Sequence, residues 1–186
     1  MPIYALDDLV PQTPGNGKFW VAPDAHVVGN VNIHEVCERV RTLILAEFPK
    51  GLQVQRDYDI SLPEFRGDME QLIQAVLNIA HNACQALSDR IAQGDAQLTF
   101  CTRIARQVTF GKMRYRLALE LHVVDNGPGV PDSIKDRIFY PLVSGRDGGS
   151  GLGLTLAQTF VQQHHGQIEV DSQPGRTDFK ILIPLP

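Results

Sequence analysis

An alternating apolar stretch, Leu117 to Val124, runs directly into Asp125-Asn126-Gly127-Pro128-Gly129-Val130. Further along, Gly148-Gly149-Ser150-Gly151-Leu152-Gly153-Leu154 opens a helix. The first segment sets a carboxylate at the end of a buried strand with glycines directly behind it. The second places glycines where free backbone N–H groups and the positive end of a helix dipole suit phosphate. Together they read as the two ends of a nucleotide site: a carboxylate for an exocyclic amine, and a glycine nest for phosphates. One glycine cluster more often marks a turn; two, with an asparagine-bearing helix upstream, point to a site.

The bulk properties narrow the class. A chain of 186 residues suits one domain with a short appendage. A body of about 150 residues buries roughly 70% of its unfolded surface, so it needs no disulfide staples. The net charge of −4 leaves no Lys/Arg surplus for non-specific binding of nucleic acid. Cys37, Cys84 and Cys101 are odd in number, widely spaced and set among apolar neighbours, and are expected as reduced core thiols of a cytoplasmic protein. The sequence has no apolar run long enough to span a membrane. Met1 to Asp8 lacks the basic stretch and apolar core of a signal peptide.

Hydrophobic periodicity supplies the element order. Ile33, Val36, Cys37, Val40, Leu43, Ile44 and Phe48 follow three-four spacing, and the helix they define stops at Pro49 and Gly51. Leu52 to Tyr58 alternates as a strand. Asp68 is expected to cap a long helix reaching about Ile91, with Gln71 as capping-box partner and Leu72, Val76, Ala80, Ala83 and Leu87 as its buried stripe. Gln97 to Arg103 and Arg114 to Val124 read as strands joined through a connection at Gln107 to Lys112. A short helix near Ser133 to Ile138 leads into a glycine-rich loop, Tyr140 to Ser150. The last helix runs from about Leu152 to His164 and ends at Gly166. Gln167 to Asp171 and Thr177 to Ile183 form a closing hairpin turned at Pro174-Gly175. Consecutive antiparallel strands mixed with long helices point to a two-layer α/β sandwich rather than a doubly wound parallel sheet.

Asn78 and Asn82 are four apart and share one helix face, in a row extended by Gln74 and Gln85. The bland alternative is a solvated amide face. Asparagine is a poor helix former, however, and two stacked beside an apolar stripe call for a reason. An amide carbonyl is a hard, neutral oxygen ligand suited to Mg²⁺, which keeps waters and phosphate oxygens besides. Asp125 either caps a turn or accepts the adenine amino group; guanine, with a carbonyl there, would leave the acceptor unpaired. Gly127 and Gly129 let backbone approach a base, and Gly149, Gly151 and Gly153 let the loop wrap a phosphate chain. Arg146 offers phosphate a charge, or is simply a solvated loop arginine.

These residues resemble a known family. Gln74-Ala75-Val76-Leu77-Asn78-Ile79-Ala80-His81-Asn82-Ala83 is similar to the asparagine box of histidine-kinase ATP-binding domains. Asp125 to Val130 resembles their first glycine box, Phe139-Tyr140-Pro141-Leu142 the phenylalanine box, and Gly149 to Leu154 the second glycine box. Val31 to Val36, Arg56-Asp57-Tyr58-Asp59, Arg114 to Ala118 and Phe139 to Arg146 resemble stretches of nitrogen-regulation sensor histidine kinases. The resemblance implies a Bergerat-type two-layer α/β sandwich with a mixed, mostly antiparallel sheet and about three main helices. It implies Mg-ATP binding, phosphoryl transfer to a histidine on a dimerisation domain, then to a response-regulator aspartate, and control by a PII signalling protein. Asn78 and Asn82 become the catalytic pair, with Asn82 the Mg²⁺ ligand. The implied nucleotide set is Asn78, Asn82, Gln85, Asp125, Gly127, Gly129, Val130, Phe139, Arg146, Gly149, Gly151, Leu152 and Gly153. No nucleic acid or membrane partner is implied.

Two features depart from the family. His34-Glu35-Val36 mimics a phosphoacceptor motif, but no Asn-Pro or Thr-Pro follows, and His34 is read as structural. The acceptor histidine is therefore expected on a separate domain. Residues 1–30 are unlike a kinase: Met1 to Leu6 and Trp20 to Gly29 resemble the opening of a γ-carbonic-anhydrase-type left-handed β-helix. That architecture needs several stacked coils, and His26 alone makes no zinc site. Residues 1–30 are expected as a foreign leader, with Phe19 and Trp20 available to an apolar groove, and 31–186 as the domain. Two alternatives remain: an ATPase of the gyrase, Hsp90 or mismatch-repair type, or a nucleotide-sensing module that docks a PII-type protein without catalysis. An ATPase needs a carboxylate base on the asparagine-box helix, yet only amides lie between Glu70 and Asp89.

Overall fold

The computed structural model describes residues 29–110, 112–143 and 151–185. The stretch read as a leader lies outside them except for Gly29 and Asn30, which belong to β1 (Gly29–Val31). This strand pairs antiparallel with β3 (Phe65–Gly67), a two-stranded sheet that the periodicity did not announce. Three-residue strands are too short to show alternation.

Helix α1 (Ile33–Glu47) starts where Asn32 Oδ1 accepts from the His34 N–H at 2.9 Å, and buries Ile33, Val36, Cys37, Val40 and Ile44. Strand β2 (Leu52–Asp57) follows. Helix α2 (Met69–Ala86) is capped by Asp68, whose Oδ1 accepts from the Gln71 N–H at 3.1 Å. The Asp68 N–H, which a capping box would give to the Gln71 side chain, donates instead to His164 Nε2 at 2.8 Å. The expected single helix to Ile91 breaks at Leu87. Its N–H is shared between the carbonyls of Ala83 and Cys84, tightening the last turn, and α3 (Ser88–Gln93) continues separately to left-handed Gly94.

Strands β4 (Ala96–Phe110) and β5 (Met113–Asp125) are longer than expected. Residues read as a connection are paired, Val108 with Tyr115 and Phe110 with Met113. Helix α4 is a single turn (Asp132–Lys135), shorter than expected. Helix α5 (Gly153–Gln163) leads into β6 (Gln167–Gln173) and β7 (Arg176–Leu185). The left-handed residue after α5 is His165, at φ 57°, rather than Gly166. Gly166 is required for space: a Cβ there would lie 2.4 Å from the Leu182 carbonyl oxygen.

The main sheet runs β2-β4-β5-β7-β6, parallel between β2 and β4 and antiparallel elsewhere. One face carries Leu98, Phe100, Leu119, Leu121, Val123, Phe179, Ile181 and Ile183, all buried in one cluster with Val76, Ile79, Ala83, Ala157 and Val161 of the helices. Each such large side chain contributes about 1.5–3 kcal/mol when withdrawn from water. On the outer face a row of facing residues crosses all five strands: Asp57, Cys101, His122, Lys180 and Glu169. Cys101 is therefore half-buried on a charged face, donating to Asp57 Oδ2 at 3.7 Å, and is not the core thiol its sequence suggested. Cys37 and Cys84 are core thiols. Parity decides this: Phe100 and Thr102, on either side of Cys101, take the inner face.

Candidate nucleotide site

The inner layer of helices leaves a cleft of about 610 Å³ between α2, the loop after β5, α4 and the start of α5. Strand β5 sets its floor. Asp125, 4% exposed, ends that strand at the inner-face parity and accepts the Gly127 N–H on Oδ1 at 2.8 Å. Asn126 turns the other way. Its Oδ1 accepts from the Gln97 N–H and its Nδ2 donates to the Asp95 carbonyl, both at 2.9 Å, which fastens the strand end. Gly129 adopts φ +87°, and a Cβ on it would lie 3.0 Å from the Gln173 carbonyl group. Val130 N–H donates to Ser172 Oγ at 2.8 Å, and Ser172 Oγ lies 3.0 Å from Thr177 Oγ1. The glycine loop is thus tied to the β6–β7 hairpin.

The opposite wall is α2. Asn78, His81, Asn82 and Gln85 recur at three-four spacing and all line the cleft. Gln74 Nε2 donates to Asn78 Oδ1 at 3.2 Å, and the buried Asn78 Nδ2 has no hydrogen-bond partner among the described residues. Gln85 Nε2 donates to His81 Nδ1 at 3.0 Å, which leaves His81 Nε2 to donate to Glu47 Oε1 at 3.0 Å. Beneath this wall, burial pushes the Cys84 thiol up to about 12, helped by the charges of Glu47 and Asp125, so it stays protonated and inert. Gly153 brings α5 against the asparagines: a Cβ there would lie 3.6 Å from Asn82 Nδ2 and 3.8 Å from Asn78 Cβ.

Of the residues singled out from the sequence, Asn78, Asn82, Gln85, Asp125, Gly129, Val130, Gly151 and Gly153 line one cleft. Gly127, Phe139 and Leu152 lie beside it without lining it. Phe139 instead packs edge-on to Phe179, at 6.4 Å and 89° between rings. Arg146 and Gly149 fall outside the described residues, as does most of the glycine-rich loop. His81, Ile138, Thr177 and Phe179 also line the cleft and were not singled out. Thr177 had a legible signal, a hydroxyl at the inner-face parity of a strand whose next inner positions are Phe179, Ile181 and Ile183. His34 is held within the fold, its Nε2 3.1 Å from Thr102 Oγ1 and its ring stacked on Tyr58 at 4.8 Å. Burial lowers its proton affinity, partly offset by Asp59.

A mixed sheet under helices, with a glycine-lined cleft at the end of a central strand, defines a nucleotide-binding two-layer sandwich. Residues 67–186 match the family of histidine kinase-, DNA gyrase B- and HSP90-like ATPases, and the chain belongs to that family of ATP-binding domains. It is 46% identical over 163 residues to the sensory histidine kinase/phosphatase NtrB of Klebsiella oxytoca, covering 88% of this chain and 45% of that protein. The NtrB of Rhodobacter capsulatus is 41% identical, covering 83% of this chain and 43% of its own length. The chain thus spans under half the length of these relatives. Among solved structures, the mycobacterial sensor histidine kinase MprB superposes with a TM-score of 0.66 at 24% identity, over 87% of this chain and 98% of that one. Full-length ShkA in complex with AMPPNP gives 0.68 at 23% identity, over 88% and 32%. At these identities the superpositions establish the fold, which is the one expected from the sequence.

Proposed function

We propose that this chain is the Mg-ATP-binding catalytic portion of a nitrogen-regulation sensor histidine kinase. Asp125 accepts the adenine amino group, Gly129 and Val130 flank the base, and the glycines before α5 hold the phosphates. The γ-phosphoryl group passes to a histidine on a separate dimerisation domain, then to an aspartate of a response regulator, with a PII-type protein as controlling partner and the cytoplasm as location. No helix among the described residues is long and apolar enough to cross a membrane.

The observation that carries the kinase reading is the acid-free wall of the cleft. From Gln71 to Ser88 that wall bears amides and one histidine but no carboxylate, and both ring nitrogens of His81 are engaged, with Gln85 and Glu47, so no carboxylate on it stands ready to take a proton from an attacking water. Glu70 is an exposed residue at the opposite end of α2, beside Arg39. Transfer of a phosphoryl group to an incoming acceptor needs mainly positioning and charge neutralisation, which such a wall can supply. The names of the relatives support the same reading.

The donor set fits Mg²⁺ in the way ATP sites hold it. No group of three His, Cys, Asp or Glu residues gathers among the described residues, so no all-protein cage is available. A single amide oxygen on Asn82, completed by waters and phosphate oxygens, matches the preference of Mg²⁺ for few protein ligands. The inward Asn78 Nδ2 suits a phosphate oxygen, and Asn78 serves as the helper. Mg²⁺ would neutralise charge on the phosphates. Calorimetry with and without Mg²⁺ tests this: wild type binds ATP tighter with the ion, and Asn82→Ala loses that gain. Equal Mg²⁺ dependence in both proteins would refute the ligand assignment. Rapid ATP turnover without any acceptor would refute the transferase reading in favour of an ATPase. A labelled acceptor-helix fragment separates kinase from pure sensor, since only a kinase transfers the label.

A further inference from the structure

The polar wall of the cleft is built from side chains in pairs. On α2, Gln74 lies one turn before Asn78 and His81 one turn before Gln85, so each pair meets along the helix surface. Gln74 Nε2 donates to Asn78 Oδ1, which leaves the buried Nδ2 as the donor end of that amide. The second pair is fixed from outside the helix. Glu47, the last residue of α1, accepts from His81 Nε2 at 3.0 Å. A carboxylate only accepts, so the ring proton stays on Nε2 and Nδ1 keeps its lone pair. Nδ1 therefore takes an N–H, which Gln85 supplies from Nε2 at 3.0 Å. The reverse amide orientation would set Gln85 Oε1 against a nitrogen with no proton to give.

The direction of this chain decides which end of Gln85 meets a ligand. His81 and Asn82 stand four and three residues before Gln85, at about −40° and +60° around the helix from it at about 100° per residue. They flank it on opposite sides. An amide held nitrogen-first to His81 carries its oxygen toward the Asn82 flank. Among the described residues no lysine or arginine lines the cleft, so neutralising phosphate falls to a bound ion and the hold on that ion matters.

We propose that Glu47 and His81 are positioning residues that hold the Gln85 oxygen where it accepts a hydrogen bond from a water on the Mg²⁺ taken by Asn82, an inference that rests on the Mg-ATP reading above. Mg²⁺ keeps several waters, and the groups that accept from those waters tune the hold on the ion. Gln85 is thereby the acceptor of the wall and Asn78 Nδ2 its donor, one for the hydrated side of the ion and the other for a phosphate oxygen. The charge of Glu47 at the end of the chain polarises each link in the same direction, which makes the far amide oxygen a better acceptor. Both Glu47 and His81 are partly exposed, so the relay contributes less than the amide it holds.

Calorimetry of ATP binding with and without Mg²⁺ tests this, read as the ratio of the two affinities in each protein, so that a loss common to both conditions cancels. Gln85→Ala lowers the ratio about two- to tenfold, the range for one hydrogen bond. His81→Phe keeps a ring, removes both nitrogens and lowers the ratio by a smaller factor. Glu47→Ala lowers it less again, and Glu47→Gln, whose amide oxygen still accepts from Nε2, restores it. In the Gln85→Ala background His81→Phe has no further effect, because it acts through the amide alone. Urea unfolding midpoints show that each variant folds. An unchanged ratio in Gln85→Ala, or a His81→Phe loss that persists beside Gln85→Ala, overturns the relay. Loss of the ratio in Asn82→Ala alone refutes the relay and leaves the Mg-ATP reading standing, whereas a full ratio in Asn82→Ala removes both.

Discussion

Strand β5 has two unlike ends. At Asp125 it closes into a buried carboxylate, a loop tied to the β6–β7 hairpin and a cleft walled by α2. At Met113 it ends in an exposed ribbon of arginines and rings that no other described strand covers. The first end is bound into the shared core; among the described residues the strand pairing of the second is with β4 alone. A local loss at the ribbon therefore need not reach the cleft.

The sharpest way to break this contrast is a pair of truncations on the same strand. Leu121→Ala, inside the shared core, should cost about 2–5 kcal/mol in urea unfolding. Tyr115→Ala on the ribbon should cost well under half as much, and similar losses would mean that the ribbon is part of the core. Next in size is the cleft carboxylate. Asp125→Asn can keep the Gly127 contact through its oxygen but then turns an N–H toward the adenine amino group. ATP binding should weaken by about 1–3 kcal/mol, read by calorimetry, with the fold intact. Unchanged affinity would remove the adenine assignment. Gly129→Ala should cost roughly 1–2 kcal/mol of stability, because φ +87° is left-handed backbone and the new methyl meets Gln173. The same change at open-space Gly29 should cost less.

The smallest effect concerns acid. Burial alone would raise the Asp178 carboxyl, but His122 at 3.0 Å and Arg176 at 2.9 Å outweigh it and hold the group below its usual value. Its folded form thus loses its proton more readily than the unfolded chain. The stabilisation is fully present above the ordinary carboxylate range and fades as pH falls through the lowered value. Denaturation midpoints should drop on acidification below about pH 4, and Asp178→Asn should flatten that limb. Asp178 faces Val124 across the sheet, so the effect belongs to the cleft end of β5.

Much of this was legible in the sequence, for physical reasons that differ by element. Helices α1 and α2 announced themselves because long apolar stripes repeat often enough to average out exceptions. Asp125, Asn78 and Asn82 stood out because each is a polar group where burial or helix propensity argues against one. The break at Leu87 left no such mark, since Leu87 continues the apolar stripe and only a shared N–H ends the helix there. Nor did the length of the β4–β5 ribbon, whose Gln107 takes a left-handed φ of 54° that reads from sequence as a turn. The edge-on contact of Phe139 with Phe179 left no mark either: a sequence position says which loop a ring belongs to, not which neighbour it packs on.

The bond from Asp68 N–H to His164 Nε2 has a mechanical consequence. His164 Nδ1 donates to the Phe160 carbonyl at 2.7 Å, so the ring is locked between the last turn of α5 and the residue that caps α2. Helix α5 is thereby a lever with its pivot at the far end and its glycine tip against the asparagines. With about 16 Å of helix between the two, a tilt of about 5° at the pivot swings the tip by about 1.4 Å. The fit of Gly153 against Asn78 and Asn82 is thus set in part by an imidazole that never approaches the cleft.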